Sequence, residues 1–200
     1  MIARNQERVV HQDRLARLVR VAIMGSMGFM LMYFGEIQIP FFADFLKYDP
    51  GDIPAMVTAF TMGPGAGVAV QAIKSGLFWL SGKSTAGVVG VLANFFAGAS
   101  LVLTAGIVRR LLSRADRRSW MWDLVAVACG TVVMSALMIP ANALVVYPLW
   151  GWSGAAAWKG ALLISTPFNL FKGALSSALS LAFYRRLEPL LAGGTHPKSA

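Results

Sequence analysis

Residues 45–54 read FLKYDPGDIP: Lys47, Asp49 and Asp52 are charged, Pro50 and Pro54 break the chain, and apolar stretches lie on both sides. Pro50-Gly51 is a turn pair. Asp52 stands where a side chain can cap a following helix, and Pro54 falls in that helix's first turn. The segment is therefore predicted to be a water-facing loop between two apolar helices. Working outward, the neighbouring runs show no period-2 alternation and are too long for strands. The chain is 56% hydrophobic and only 14% charged, against about 45–50% and about 25% in soluble domains. An all-α integral membrane protein is the fold class these features predict.

Six spans can be drawn. The first is Leu18–Ile37; its basic start resembles a signal peptide, but no small-x-small cleavage site follows, so the helix is retained. The second is Ile53–Met62 and the third Ala66–Leu80, separated by Gly63-Pro64-Gly65. Both fall short of the ~20 residues a bilayer core requires, so either the turn lies at membrane depth or the helices extend further. The fourth is Ala86–Val108, the fifth Trp122–Val145 and the sixth Ala155–Tyr184. This divides the chain into a basic tail (1–17), a six-helix domain (18–186) and a C-terminal tail (187–200).

The net charge of +9 does not form a nucleic-acid face. Basic residues cluster at Arg4, Arg8, Arg14, Arg17 and Arg20, from Arg109 to Arg118, and at Arg185, Arg186 and Lys198. These clusters flank apolar spans, as cytoplasmic segments do. Counting crossings puts both termini and the 109–118 loop in the cytoplasm, and residues 45–54, 81–85 and 146–154 outside. Trp150, Trp152 and Trp158 then fall at the outer interface, with Trp120 and Trp122 at the inner one.

Several chemistries are excluded. Cys129 is the only cysteine, and the two histidines, His11 and His196, lie in the tails. That leaves no disulfide, no Cys or His metal cluster and no His-based catalysis. Gly82-Lys83-Ser84-Thr85 imitates the end of a phosphate-binding loop, but the required upstream glycine position is Leu77. No paired-carboxylate site lies within the spans.

The informative residues are polar groups inside spans. Lys172 stands 13 residues before Arg185, roughly 20 Å at ~1.5 Å per residue, beyond the reach of snorkelling. A lysine at that depth demands a partner, a wet cavity or a ligand. Asn169 shares its helical face, Asn142 follows Pro140, and Lys74 is a further buried cation. Either these residues bond helix to helix or, with Phe168, Phe171 and Tyr48, they line a ligand pocket.

FLKYDPGDIPA (45–55), followed by F-x-M-G-P-G-A-G (60–67), resembles the first-loop signature of the riboflavin-specific S components of energy-coupling factor (ECF) transporters. Ala93-Asn94-Phe95-x-Ala97-Gly98, Asn142-Ala143-Leu144 and Phe168-Asn169-Leu170-Phe171-Lys172-Gly173 follow in the family's order, over roughly residues 18–186. The resemblance implies a non-enzymatic, multi-pass subunit of the bacterial plasma membrane that captures riboflavin under its first outer loop, which acts as a lid. Riboflavin is then the transported substrate, no cofactor is held, and ATP is bound only by two ATPase subunits acting with a membrane T component. Asn142, Asn169 and Lys172 would read the polar edge of the flavin ring. Leu46 and Lys47 would add loop contacts, and Tyr48 would help close the site. The family's small-residue docking pattern matches Ala22-x-x-x-Ser26, beside Gly25 and Gly28, though the same spacing suits internal packing. A different vitamin, flavin mononucleotide, or a purely structural subunit are the alternative readings.

Overall fold

The computed structural model describes residues 2–112 and 120–192, with side chains over 11–112 and 120–186. Helix α1 spans Ile2–Gly35, α2 Asp52–Met62, α3 Pro64–Leu80, α4 Gly87–Leu112, α5 Trp120–Ala141, α6 Tyr147–Leu149, α7 Gly154–Gly160 and α8 Thr166–Ala192. Two π-helical turns, Asn142–Val146 and Ala161–Ser165, join α5 to α6 and α7 to α8. The eight helices thus form six rods. The 1–17 segment read as a tail is helical from Ile2 onward. Arg114, Arg117, Arg118, His196 and Lys198 lie outside the described residues.

Both π turns have a cause in the sequence. Pro148 and Pro167 lack the N–H that would close an α-turn onto the carbonyls of Leu144 and Leu163. The helix widens just before each proline, and Thr166 Oγ1 donates to the Ala161 carbonyl at 2.8 Å. Widened turns of this kind displace the side chains around them and recur at functional sites.

Among the described residues, three rods are long and apolar enough to cross a membrane: His11–Gly35, Gly87–Leu112 and Trp120–Leu149. Helices α2 (11 residues) and α3 (17 residues) remain short. Only Gly63 separates them, with φ 103°, a conformation that favours glycine; Pro64 then opens α3. Helix α2 is wrapped by its neighbours, and every residue from Asp52 to Phe60 is buried. Met56 and Phe60 of this helix share one buried apolar cluster with Val70, Leu101, Val102, Ala126 and Met134. In lipid this close packing, rather than expulsion of water, holds helices together. The outward face of α1 carries Leu18, Ile23, Met27, Met30 and Phe34, all exposed.

The two ends of the bundle differ. At one end, Arg109 donates from Nε to Asp123 (2.7 Å), from Nη1 to the Phe60 carbonyl (2.9 Å) and from Nη2 to the Tyr184 hydroxyl (2.5 Å). Arg185 bonds the other oxygen of Asp123 at 2.8 Å. Arg17 donates to the Met62 carbonyl at 3.0 Å. The last carbonyls of α2, left without helical donors, are thereby answered by α1 and α4. At the opposite end lies the 36–51 loop. Sequence reading anticipated no strands, yet Ile37–Gln38 (β1) pairs antiparallel with Lys47–Tyr48 (β2), Ile37 opposite Tyr48.

Candidate functional site

The loop covers a cavity of about 790 Å³ of empty space, open mouth included. The loop contributes Phe45, Leu46 and Lys47; α4 contributes Asn94; the Asn142–Val146 turn and α6 contribute Asn142 and Tyr147; and α8 contributes Phe168, Asn169 and Lys172. Phe45 sets its ring edge-on to Trp150 (centroids 5.3 Å) and to Tyr147 (6.2 Å), fixing an aromatic wall. Tyr147 is held in turn by its hydroxyl against Ser165 Oγ at 2.6 Å and by stacking on Trp152 at 5.1 Å. Trp150, expected at the outer interface, also borders the cavity.

Beneath the cavity lies a buried charge cluster. Lys172 Nζ donates to Asp49 Oδ2 at 2.9 Å and to the Asn94 side-chain oxygen, and lies 3.5 Å from Asp52 Oδ2. Lys74 Nζ meets Asp52 Oδ1 at 2.6 Å and Asp49 Oδ1 at 3.3 Å. Gln71 Nε2 donates to Asp52 Oδ1 at 2.8 Å, and Asn94 Nδ2 to Asp49 Oδ2 at 3.2 Å. Two lysines and two aspartates balance. Each ion alone would carry a large desolvation cost, offset only by close opposite charge and hydrogen bonds. Burial by itself pushes the Asp49 carboxyl up, but Lys172 and then Lys74 pull it well below the ordinary carboxylate range. Glycine admits the backbone to this crowd: a Cβ on Gly51 would lie 2.6 Å from the Gly28 carbonyl oxygen and 2.8 Å from Lys74 Cδ.

The six residues predicted for the site divide into three kinds. Asn142 and Asn169 are buried and border the cavity, and among the described residues neither carboxamide side chain has a hydrogen-bond partner. They are free to read a ligand. Lys172 borders the cavity too but is already engaged by Asp49 and Asn94. Leu46 and Lys47 reach it from the loop, Lys47 held by Thr85 Oγ1 at 3.1 Å and Glu36 at 3.5 Å. Tyr48 is buried away from the cavity wall, and burial raises its phenol above the ordinary range. Asp52 does not cap α2 as predicted. Gly51 occupies the N-cap, and the Asp52 carboxylate turns inward to Lys74 and Gln71. Of the small-residue pattern, Ala22 and Ser26 face outward, whereas Gly25 and Gly28 pack against Ile73 and Lys74.

Sequence reading assigned no role in the site to Asp49, Asp52 or Asn94. Charge balance was the available signal. Two buried lysines required two anions, and the acids nearest them in the chain's first loop were Asp49 and Asp52. Among the described residues no cluster of His, Cys, Asp and Glu suits a metal ion.

The family model for the substrate-specific component of ECF transporters matches residues 16–184. The chain belongs to this family. It is a membrane protein and a transporter subunit, not an enzyme. The riboflavin transporter FmnP of Bacillus subtilis is 31% identical over 184 residues, covering 88% of this chain and 94% of that protein. The riboflavin transporter RibU of Staphylococcus aureus is 31% identical over 193 residues, covering 94% of this S component and 98% of its relative. A solved S component of a bacterial ECF transporter superposes with a TM-score of 0.74 at 31% identity, over 89% of this chain and 98% of that one. ThiT from Listeria monocytogenes, at 19% identity and a TM-score of 0.64 over 89% of this chain and 98% of its own, shares the fold.

Proposed function

We propose that this S component captures riboflavin in the cavity beneath the 36–51 loop. The observation that carries the reading is the pair of buried carboxamides, Asn142 and Asn169, which border an aromatic-walled cavity and have no hydrogen-bond partner among the described residues. The flavin ring presents an edge of carbonyl, N–H and carbonyl. An amide side chain offers donor and acceptor together, which matches such an edge. Phe45, Tyr147, Trp150 and Phe168 supply faces and edges for the flat ring. Leu46 and Lys47 contact the substrate from the loop, and Tyr48 holds the loop from beneath. Lys172 adds a charge-assisted donor. The relatives named riboflavin transporters support the same assignment.

Charge favours riboflavin over its phosphate ester. Lys172 is paired with Asp49 and Lys47 with Glu36, so the lysines bordering the cavity are already neutralised. A dianionic phosphate would have to break one of these pairs. Different vitamins of other shape would leave the two carboxamides unanswered in a buried site.

In this reading six rods cross the plasma membrane of a bacterium, the termini are cytoplasmic and the loop faces outside as a lid. The basic 1–17 segment and the residues beyond 186 flank the 18–186 substrate domain. No resident cofactor is needed. Substrate is released inward together with a T component and two ATPase subunits, which alone bind ATP. The outward Ala22-x-x-x-Ser26 step, where small side chains let a second helix approach closely, is the docking surface. Uptake of labelled riboflavin by cells expressing this chain with its T component and ATPases tests the reading. Uptake is expected with all subunits present and is lost when the chain is omitted; equal uptake without it contradicts the assignment.

A further inference from the structure

We propose that Asp49 is a positioning residue for substrate capture, acting on the flavin through Lys172, which Asn94 helps it hold; this rests on the riboflavin reading above. The carboxylate divides its two oxygens between two tasks. Oδ1 fastens the loop: it accepts from the Gly51 backbone N–H at 3.1 Å and from Lys74 at 3.3 Å. Oδ2 faces the cavity floor: it accepts from Lys172 at 2.9 Å and from Asn94 Nδ2 at 3.2 Å.

The second task sets the geometry of the floor. Asn94 gives its NH₂ to Asp49, so its carbonyl oxygen is left for Lys172. Lys172 is thereby held between Asp49 and Asn94 while bordering the cavity, and Asn94 borders the cavity beside it. Both side chains would otherwise be flexible, and a pre-set donor spares the ligand the cost of ordering it. Because Asp49 belongs to the lid loop, the arrangement also ties the floor to the lid. Tyr48 and Lys47, the residues just before Asp49, form the β2 strand of that loop.

An asparagine at position 49 cannot keep both tasks. Its NH₂ must face either Lys74 and Gly51 or Lys172 and Asn94, and all of these are donors. The site remains charge-balanced if one lysine leaves together with Asp49. The variant Asp49→Asn/Lys74→Met leaves the Asp52–Lys172 pair, and Asp49→Asn/Lys172→Met leaves the Asp52–Lys74 pair. These guard the test against variants that fail to fold through buried net charge.

Riboflavin affinity by fluorescence quenching in detergent, with the wild type measured first, decides the matter. Asp49→Asn/Lys74→Met is expected to bind at least about tenfold more weakly than wild type although Lys172 is present. Asp49→Asn/Lys172→Met is expected to match Lys172→Met alone within about twofold, since the lysine that Asp49 positions is then absent. Wild-type affinity in Asp49→Asn/Lys74→Met overturns the positioning role, as does a full further loss on adding Asp49→Asn to Lys172→Met. Wild-type protein that quenches no riboflavin overturns the capture reading and this inference together.

Discussion

Asn169 and Lys172 stand one helical step apart on α8 yet have different standing. Among the described residues the asparagine side chain has no hydrogen-bond partner, while the lysine is committed to Asp49 and Asn94. Asn169→Ala and Asn142→Ala are each expected to weaken riboflavin binding about tenfold or more, with little change in melting temperature, because they remove contacts made only to the ligand. Isothermal titration beside a thermal melt checks both. Asp49 behaves differently. Its carboxyl is held below the ordinary range, so its contribution to stability is complete above the unfolded value of about 3.9 and is lost as pH falls through the lower folded value. The melting-temperature gap between wild type and Asp49→Asn is therefore expected to stay constant from about pH 5 to 8 and to narrow only below about pH 3.9. Narrowing near pH 6 would contradict the depressed carboxyl. Lys172 could be read from sequence because a charge at such depth is conspicuous. Charge balance called for anions beside the two buried lysines, but the particular tasks of Asp49 and Asn94 could not be read, since a loop aspartate looks solvated until the loop is seen folded inward.

At the scale of elements, the prolines do more than end helices. Pro167 stands just after the Ala161–Ser165 turn, whose Ser165 bonds Tyr147 on the aromatic wall. Pro167→Ala returns an N–H donor to the Leu163 carbonyl and lets an ordinary α-turn form. The variant is expected to melt at the same or a higher temperature while binding riboflavin about threefold or more weakly, because the turn carrying Ser165 changes register. Undiminished affinity would mean that the widened turn plays no part in the site. The rods themselves were legible: long apolar runs bounded by charge gave the positions of α1, α4 and the Trp120–Leu149 rod. The π turns were not, because a proline after an apolar run also fits a kink or a helix end. Nor was the β1–β2 hairpin, since two residues per strand carry no periodicity to detect. The brevity of α2 and α3 was legible, and Gly63 explains it.

For the whole molecule, charge clusters at one end and the lidded cavity at the other fit a protein oriented across a membrane. In a Cys129→Ser background, cysteines placed at Ser84 and at Arg110 test the orientation with a membrane-impermeant maleimide. Labelling of intact cells is expected at position 84 only, and at position 110 after lysis; the reverse pattern would invert the topology. The most direct measurement is the titration of riboflavin fluorescence with purified wild-type protein in detergent. Saturable quenching at one riboflavin per chain, at micromolar concentration or below, is the result predicted. Fluorescence unchanged by micromolar protein would contradict the account.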